Sequence, residues 1–179
     1  MIEDIGLWAP LAGAIGLVCA LIMYLTVTKQ SPGTDKMKAI GEEIHLGAMT
    51  FLKAEYTKLS VFVLVVAGIL FFVFNNQETP LGWQTAVSFV TGAICSALAG
   101  FIGMKAATKG NVRTAAAAKD KGSGGALLVA FNSGAVMGLA VASLGLVGLG
   151  LIYWAFGENL ETVSVVSGFS MGASSIALF

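Results

Sequence analysis

Along the chain, long uncharged runs alternate with short polar connections, and each run has roughly the length of a membrane-crossing helix. Residues 5–28 carry no charge, and at about 1.5 Å of rise per residue they cross a hydrocarbon core about 30 Å thick. Residues 59–74 form a second run, closed by the polar stop Asn75-Asn-Gln-Glu-Thr-Pro80, whose proline cannot continue a helix interior. A third run, 83–104, opens on Trp83. The fourth lies within 125–156, with its crossing part at 130–156 and its end marked by Tyr153 and Trp154, aromatics suited to a membrane interface. It is longer than a bilayer needs, which predicts a tilt or an extension into water. A fifth run, 163–179, follows Gly157-Glu-Asn-Leu-Glu161 and is a few residues short of the roughly twenty that cross. The pattern predicts an all-α, polytopic transmembrane bundle of four full spans and a truncated fifth.

The two longer connections have different periodicities. In 35–58, Met37, Ile40, Ile44, Ala48, Phe51 and Leu52 recur at helical spacing, with Lys38, Glu42, Glu43 and Glu55 mostly elsewhere around the helix. This predicts an amphipathic helix, capped by Thr34 or Asp35, whose apolar stripe rests on the membrane or on other helix ends. The connection 105–125 joins an alanine-rich helical stretch to a flexible glycine turn at Gly122, Gly124 and Gly125. Those glycines lack the following Lys-Ser/Thr of a phosphate-binding loop.

Charge gives the arrangement a direction. All ten lysines and arginines fall between runs one and two or between runs three and four. Glu3, Asp4, Glu78, Glu158 and Glu161 lie on the other side, so the N-terminus is expected outside and both basic connections in the cytoplasm. Topology accounts for the basic connections ahead of binding to anionic lipid or substrate, and nothing in them indicates a nucleic-acid partner. With 56% hydrophobic residues, 11% charged and a mean hydropathy of +0.85, the chain carries more apolar surface than a soluble domain this size buries. The acidic leader without a cleavage site argues against a removable signal peptide. Cys19 and Cys95 sit inside apolar runs and read as small hydrophobes.

Within the membrane, small residues recur at helical spacing: Gly92, Ser96 and Gly100; Gly134 and Gly138; Gly168 and Gly172, continued by Ser175. Such ridges let helix backbones approach closely, which holds a bundle together where no hydrophobic effect operates between helices. No carboxylate, lysine, arginine or histidine falls inside a run, although ion pathways are normally marked by such groups. His45 lies three residues after Glu42 but has no converging ligands, and it reads as a polar surface or helix-packing residue ahead of a metal ligand or proton relay. Asp35, Glu42, Glu43, Glu55 and Asp120 lack the paired spacing that holds magnesium around a phosphate. No residue is therefore assigned as catalytic, substrate-binding or metal-ligating.

Four blocks carry a family likeness. They are Gly33-Thr-Asp-Lys-Met-Lys-Ala-Ile with Gly47-Ala-Met-Thr-Phe-Leu and Glu55-Tyr56; Gly82-Trp-Gln-Thr-Ala-Val with Ser96-Ala-Leu-Ala-Gly-Phe-Ile-Gly-Met104; Asn111-Val-Arg-Thr-Ala115 with Ala130-Phe-Asn-Ser-Gly-Ala-Val-Met-Gly-Leu139; and Gly168 to Phe179. In order and spacing they resemble the N-terminal part of the membrane-bound, ion-translocating pyrophosphatases. The resemblance implies a homodimeric pump that hydrolyses cytoplasmic pyrophosphate with magnesium and moves protons or sodium ions outward. It places the catalytic centre, ion specificity and potassium dependence in later spans. It makes the first four runs part of an outer wall and the fifth an inner helix, with Ser174 matching a small polar position near the ion path, where a packing role is preferred over a transport role. Gly110 departs from the family, where a side chain is more usual, and is expected to loosen its loop. The 179-residue chain alone is then a fragment that does not hydrolyse pyrophosphate. The alternative is a non-enzymatic small membrane protein that assembles through its glycine ridges; a small transporter is weakened by the absence of charged groups in the runs.

Overall fold

The computed structural model describes residues 2–76, 81–157 and 160–177, with side chains described for 8–76, 81–157 and 164–177. Part of the polar stop at 75–80, the acids Glu78 and Glu158, and the end at 178–179 lie outside the described residues, as do the side chains of Glu3, Asp4 and Glu161. Among the described residues every regular element is an α-helix: α1 (Ile2–Thr28), α2 (Asp35–Asn75), α3 (Gly82–Phe156) and α4 (Leu160–Ala177). Trp8–Thr28 of α1, α2 and α3 are long and apolar enough to cross a membrane.

Helix α2 merges two segments that differ in periodicity. Thr34 caps it, its Oγ1 accepting from the Met37 N–H at 3.4 Å, and Asp35 sits in the first turn. The amphipathic part at 35–58 then runs straight into the apolar part at 59–74, because no glycine or proline stands at the junction to interrupt the backbone ladder.

Helix α3 cannot be one straight rod, since 75 residues at about 1.5 Å each would far exceed any bilayer. It bends back at Gly122, whose φ of 72° and ψ of −169° are non-helical. Only glycine takes that conformation without strain. The segment 105–125, expected as a loop with a helical beginning, is helical except at this residue. Two limbs result, 82–121 and 123–156, packed antiparallel. A β-carbon built on Gly103 would lie 2.5 Å from Met137 Cγ, one on Gly110 would run into the Ser133 side chain, and Ser133 Oγ donates to the Ala106 carbonyl at 2.9 Å.

The other helices all pack on α3. Helix α2 runs antiparallel to the first limb: the Gly82 end meets Phe71 and Asn75, Tyr56 donates to the Ala97 carbonyl at 2.7 Å, and Gly41 faces Val112. Helix α1 runs antiparallel to the second limb, with Pro10 against Gly150 and Gly13 against Ser143 and Val147. Helix α4 runs parallel to the first limb. The buried positions are mostly small, among them Ala20, Ala93, Ala99, Ala106 and Ala140, while Trp8, Leu64, Phe72, Phe131 and Trp154 are exposed. Large apolar groups outside and small ones inside are the arrangement of a bundle solvated by lipid.

Candidate functional site

Among the described glycines, the tightest contacts fall where α4 crosses the first limb of α3. A β-carbon on Gly172 would land on the Phe89 carbonyl oxygen, and one on Gly92 would land on the Phe169 carbonyl oxygen. One turn earlier, a β-carbon on Gly168 would lie 2.9 Å from the Thr85 carbonyl. The two backbones therefore touch directly, and Phe89 at 0% and Phe169 at 5% exposure fill the flanks. The Phe169 ring continues toward the second limb, where Gly148 leaves the space it occupies beside Cys95.

The remaining small residues singled out above are placed differently. Gly100 faces the Tyr56 hydroxyl, 2.9 Å from a built β-carbon. Ser96 lines a mainly apolar cleft of ≈ 610 Å³ between α2, α3 and α4. Gly134 and Gly138 face open space, with no described residue within 4 Å of a built β-carbon. Ser174 is exposed on the face of α4 turned away from α3, whereas Val165, Gly168, Phe169 and Gly172 form the packed face. Periodicity alone passed over Gly13, Gly16 and Gly150, which set the α1 crossing. The Gly13-x-x-Gly16 spacing was the available signal.

A second centre lies at the basic end of the bundle, around Arg113. The last turn of α1 contains no basic residue, so its final carbonyls need donors from elsewhere. Arg113 supplies them: its Nε donates to the Gln30 carbonyl at 3.1 Å, one terminal nitrogen to the Thr28 carbonyl at 3.2 Å, and the other to the Lys109 carbonyl at 2.8 Å. Its neighbours complete the joint, with Val112 against Gly41 and Ala116 against Gly33, which has φ of 83°. The Asn-Val-Arg-Thr block thus ties together α1, α2 and the first limb. Gly110, expected to loosen a loop, is instead buried in the helix at its contact with Ser133.

His45 joins the same end, its Nδ1 lying 2.8 Å from Thr108 Oγ1. The Thr108 hydroxyl also lies 3.0 Å from the Met104 carbonyl; when it donates there, it accepts from Nδ1–H. Partial burial, reinforced by the ammonium groups of Lys109 and Lys105, holds the imidazole pKa below its ordinary value. Among the described residues, no three His, Cys, Asp or Glu side chains converge. Asp35 pairs with Lys38 at 2.9 Å and Glu55 with Lys58 at 3.2 Å. The described residues do not fit a magnesium centre; what they build here is a framework of helix contacts.

Comparison with known proteins places this framework. The sequence matches the family model described as inorganic H+ pyrophosphatase over residues 14–179. It is similar to a putative K(+)-stimulated pyrophosphate-energized sodium pump of Clostridium tetani, with 47% identity covering 99% of this chain and 25% of that protein. It is also similar to a K(+)-insensitive pyrophosphate-energized proton pump of Methanosarcina mazei, with 39% identity covering 96% and 24%. A third relative is a K(+)-stimulated pyrophosphate-energized sodium pump of Thermotoga maritima, with 39% identity covering 92% and 24%. The chain spans about a quarter of the length of these curated relatives.

Proposed function

Because the chain belongs to the inorganic H+ pyrophosphatase family and is an integral membrane protein, we propose that it is the N-terminal wall of a pump that couples pyrophosphate hydrolysis to proton or sodium transport. The observation that carries this reading is a family match covering almost the whole chain, on a bundle whose described residues contain close helix crossings but no converging metal ligands. In the intact pump, magnesium and pyrophosphate bind to later parts of the polypeptide, and two copies assemble as a homodimer. Both potassium-stimulated and potassium-insensitive relatives match, so potassium dependence is also assigned to those later parts.

The proposed topology has four full spans, with the two limbs of α3 counted separately, and α4 as the fifth. The N-terminus is outside and the basic connections are cytoplasmic. Two features support it: the alternating directions of α1, α2 and the two α3 limbs, and the gathering of Lys29, Lys36, Arg113 and Lys121 at one end. Ser174, on the open face of α4, is the residue of this chain proposed to neighbour the ion path.

The expected behaviour of the purified 179-residue chain is binding to membranes without release of phosphate from magnesium pyrophosphate, while the complete pump polypeptide releases it. Magnesium-dependent hydrolysis by the short chain would overturn the division of labour proposed here.

A further inference from the structure

The last turn of α1 and the start of the second α3 limb leave a groove of ≈ 190 Å³ between them at the basic end. Val27 and Val129, both buried, form its floor, and Leu128, 65% exposed, forms an outer wall. Gln30, Lys121 and Asn132 stand at its rim, and the exposed lining of the groove itself is almost wholly apolar. Lys121 Nζ reaches Gln30 Oε1 at 3.4 Å and has no carboxylate partner among the described residues. Two of its N–H donors and its full charge are left for another group.

We propose that this groove binds one anionic phospholipid, with the phosphate at Lys121 and an acyl chain along Val27, Leu128 and Val129. The groove combines a cation with an apolar channel, which complements a charged headgroup joined to a hydrocarbon chain and does not suit a free anion. It also straddles the change from the basic connection to the uncharged run that begins at Gly125, the depth at which a lipid phosphate meets its chains. Assigning the lipid to the cytoplasmic leaflet, whose surface is anionic, rests on the topology proposed above.

The test is native mass spectrometry of the complete pump polypeptide in detergent, with phosphatidylglycerol or phosphatidylcholine added separately. Phosphatidylglycerol is expected to remain bound to the unaltered protein, and Lys121→Gln to weaken that retention about fivefold, as for removing one lysine at a lipid surface. Leu128→Trp, which fills the groove and keeps the charge, should abolish it, while Lys119→Gln, which lies outside the groove, leaves it unchanged. Equal retention of phosphatidylglycerol by Lys121→Gln, or equally tight binding of phosphatidylcholine, would overturn the proposal. So would cross-linking of Leu128→Cys to another part of the polypeptide, since protein would then cover the groove. Binding in detergent does not depend on which side faces the cytoplasm, so an inverted topology would leave these outcomes unchanged and would appear only in labelling from the two sides.

Discussion

Gly172→Leu is expected to separate α4 from α3 and abolish accumulation of folded protein. The position has no slack: even a β-carbon there would sit on the Phe89 carbonyl oxygen. An obstacle made of backbone cannot swing aside as a side chain can. Overpacking an ordinary core site costs about 1–3 kcal/mol, and a clash between two helix backbones lies at or beyond the top of that range. Gly172→Ala should already lower the thermal midpoint of the detergent-solubilised protein. Gly134→Ala is the contrasting substitution, since nothing described lies within 4 Å of the added carbon. In the 179-residue chain it should be neutral or stabilising by up to about 1 kcal/mol, the gain in helix propensity. The two melts are read by size-exclusion chromatography after heating. Equal midpoints for the two alanine variants would contradict the crossing.

Those two glycines also mark the limit of what the sequence conveys. Spacing of four residues identifies a smooth strip on a helix, but not whether the strip meets a neighbour. Gly92, Gly168 and Gly172 lie at a crossing, whereas Gly134 and Gly138 with the same spacing face open space. The uncharged runs were legible because a membrane-crossing helix must be apolar along its length. Where the runs joined other segments was less legible. Helix α2 continues through 58–59 because nothing there interrupts it, and the glycine-rich turn contracts to Gly122 alone because one positive φ suffices to reverse the chain. The family likeness carried by the four blocks is borne out by the match over residues 14–179. Arg113 stood within one of those blocks, yet its role depends on the carbonyls of Thr28 and Gln30, more than eighty residues earlier, and no local pattern reports such a partner.

Removing that arginine gives the second large effect. Arg113→Ala deletes the donors to Thr28, Gln30 and Lys109 and removes one of the cations near the end of α1, where positive charge is favourable. Hydrogen bonds from charged donors contribute about 1.5–3 kcal/mol. Because Arg113 is only half-buried at the basic end, water replaces part of this, and a net loss of about 2 kcal/mol is expected. Arg113→Lys keeps the charge but cannot fork between two carbonyls, so it should recover less than half of the loss. Hydrogen exchange localises the effect: amides of the α2 N-terminus and the last turn of α1 should lose protection before those of the α3–α4 crossing. An unchanged midpoint and exchange pattern in Arg113→Ala would show that the joint does not depend on it.

This bundle is proposed to be the membrane wall of a pyrophosphate-energised pump. The most direct test is ion accumulation by inside-out membrane vesicles containing the complete pump polypeptide, after adding magnesium pyrophosphate to the outer medium, which faces the basic connections in the proposed topology. Uptake of protons or sodium ions that requires pyrophosphate is the expected result. Pyrophosphate hydrolysis without ion uptake, or no response to pyrophosphate by a correctly inserted protein, would contradict it.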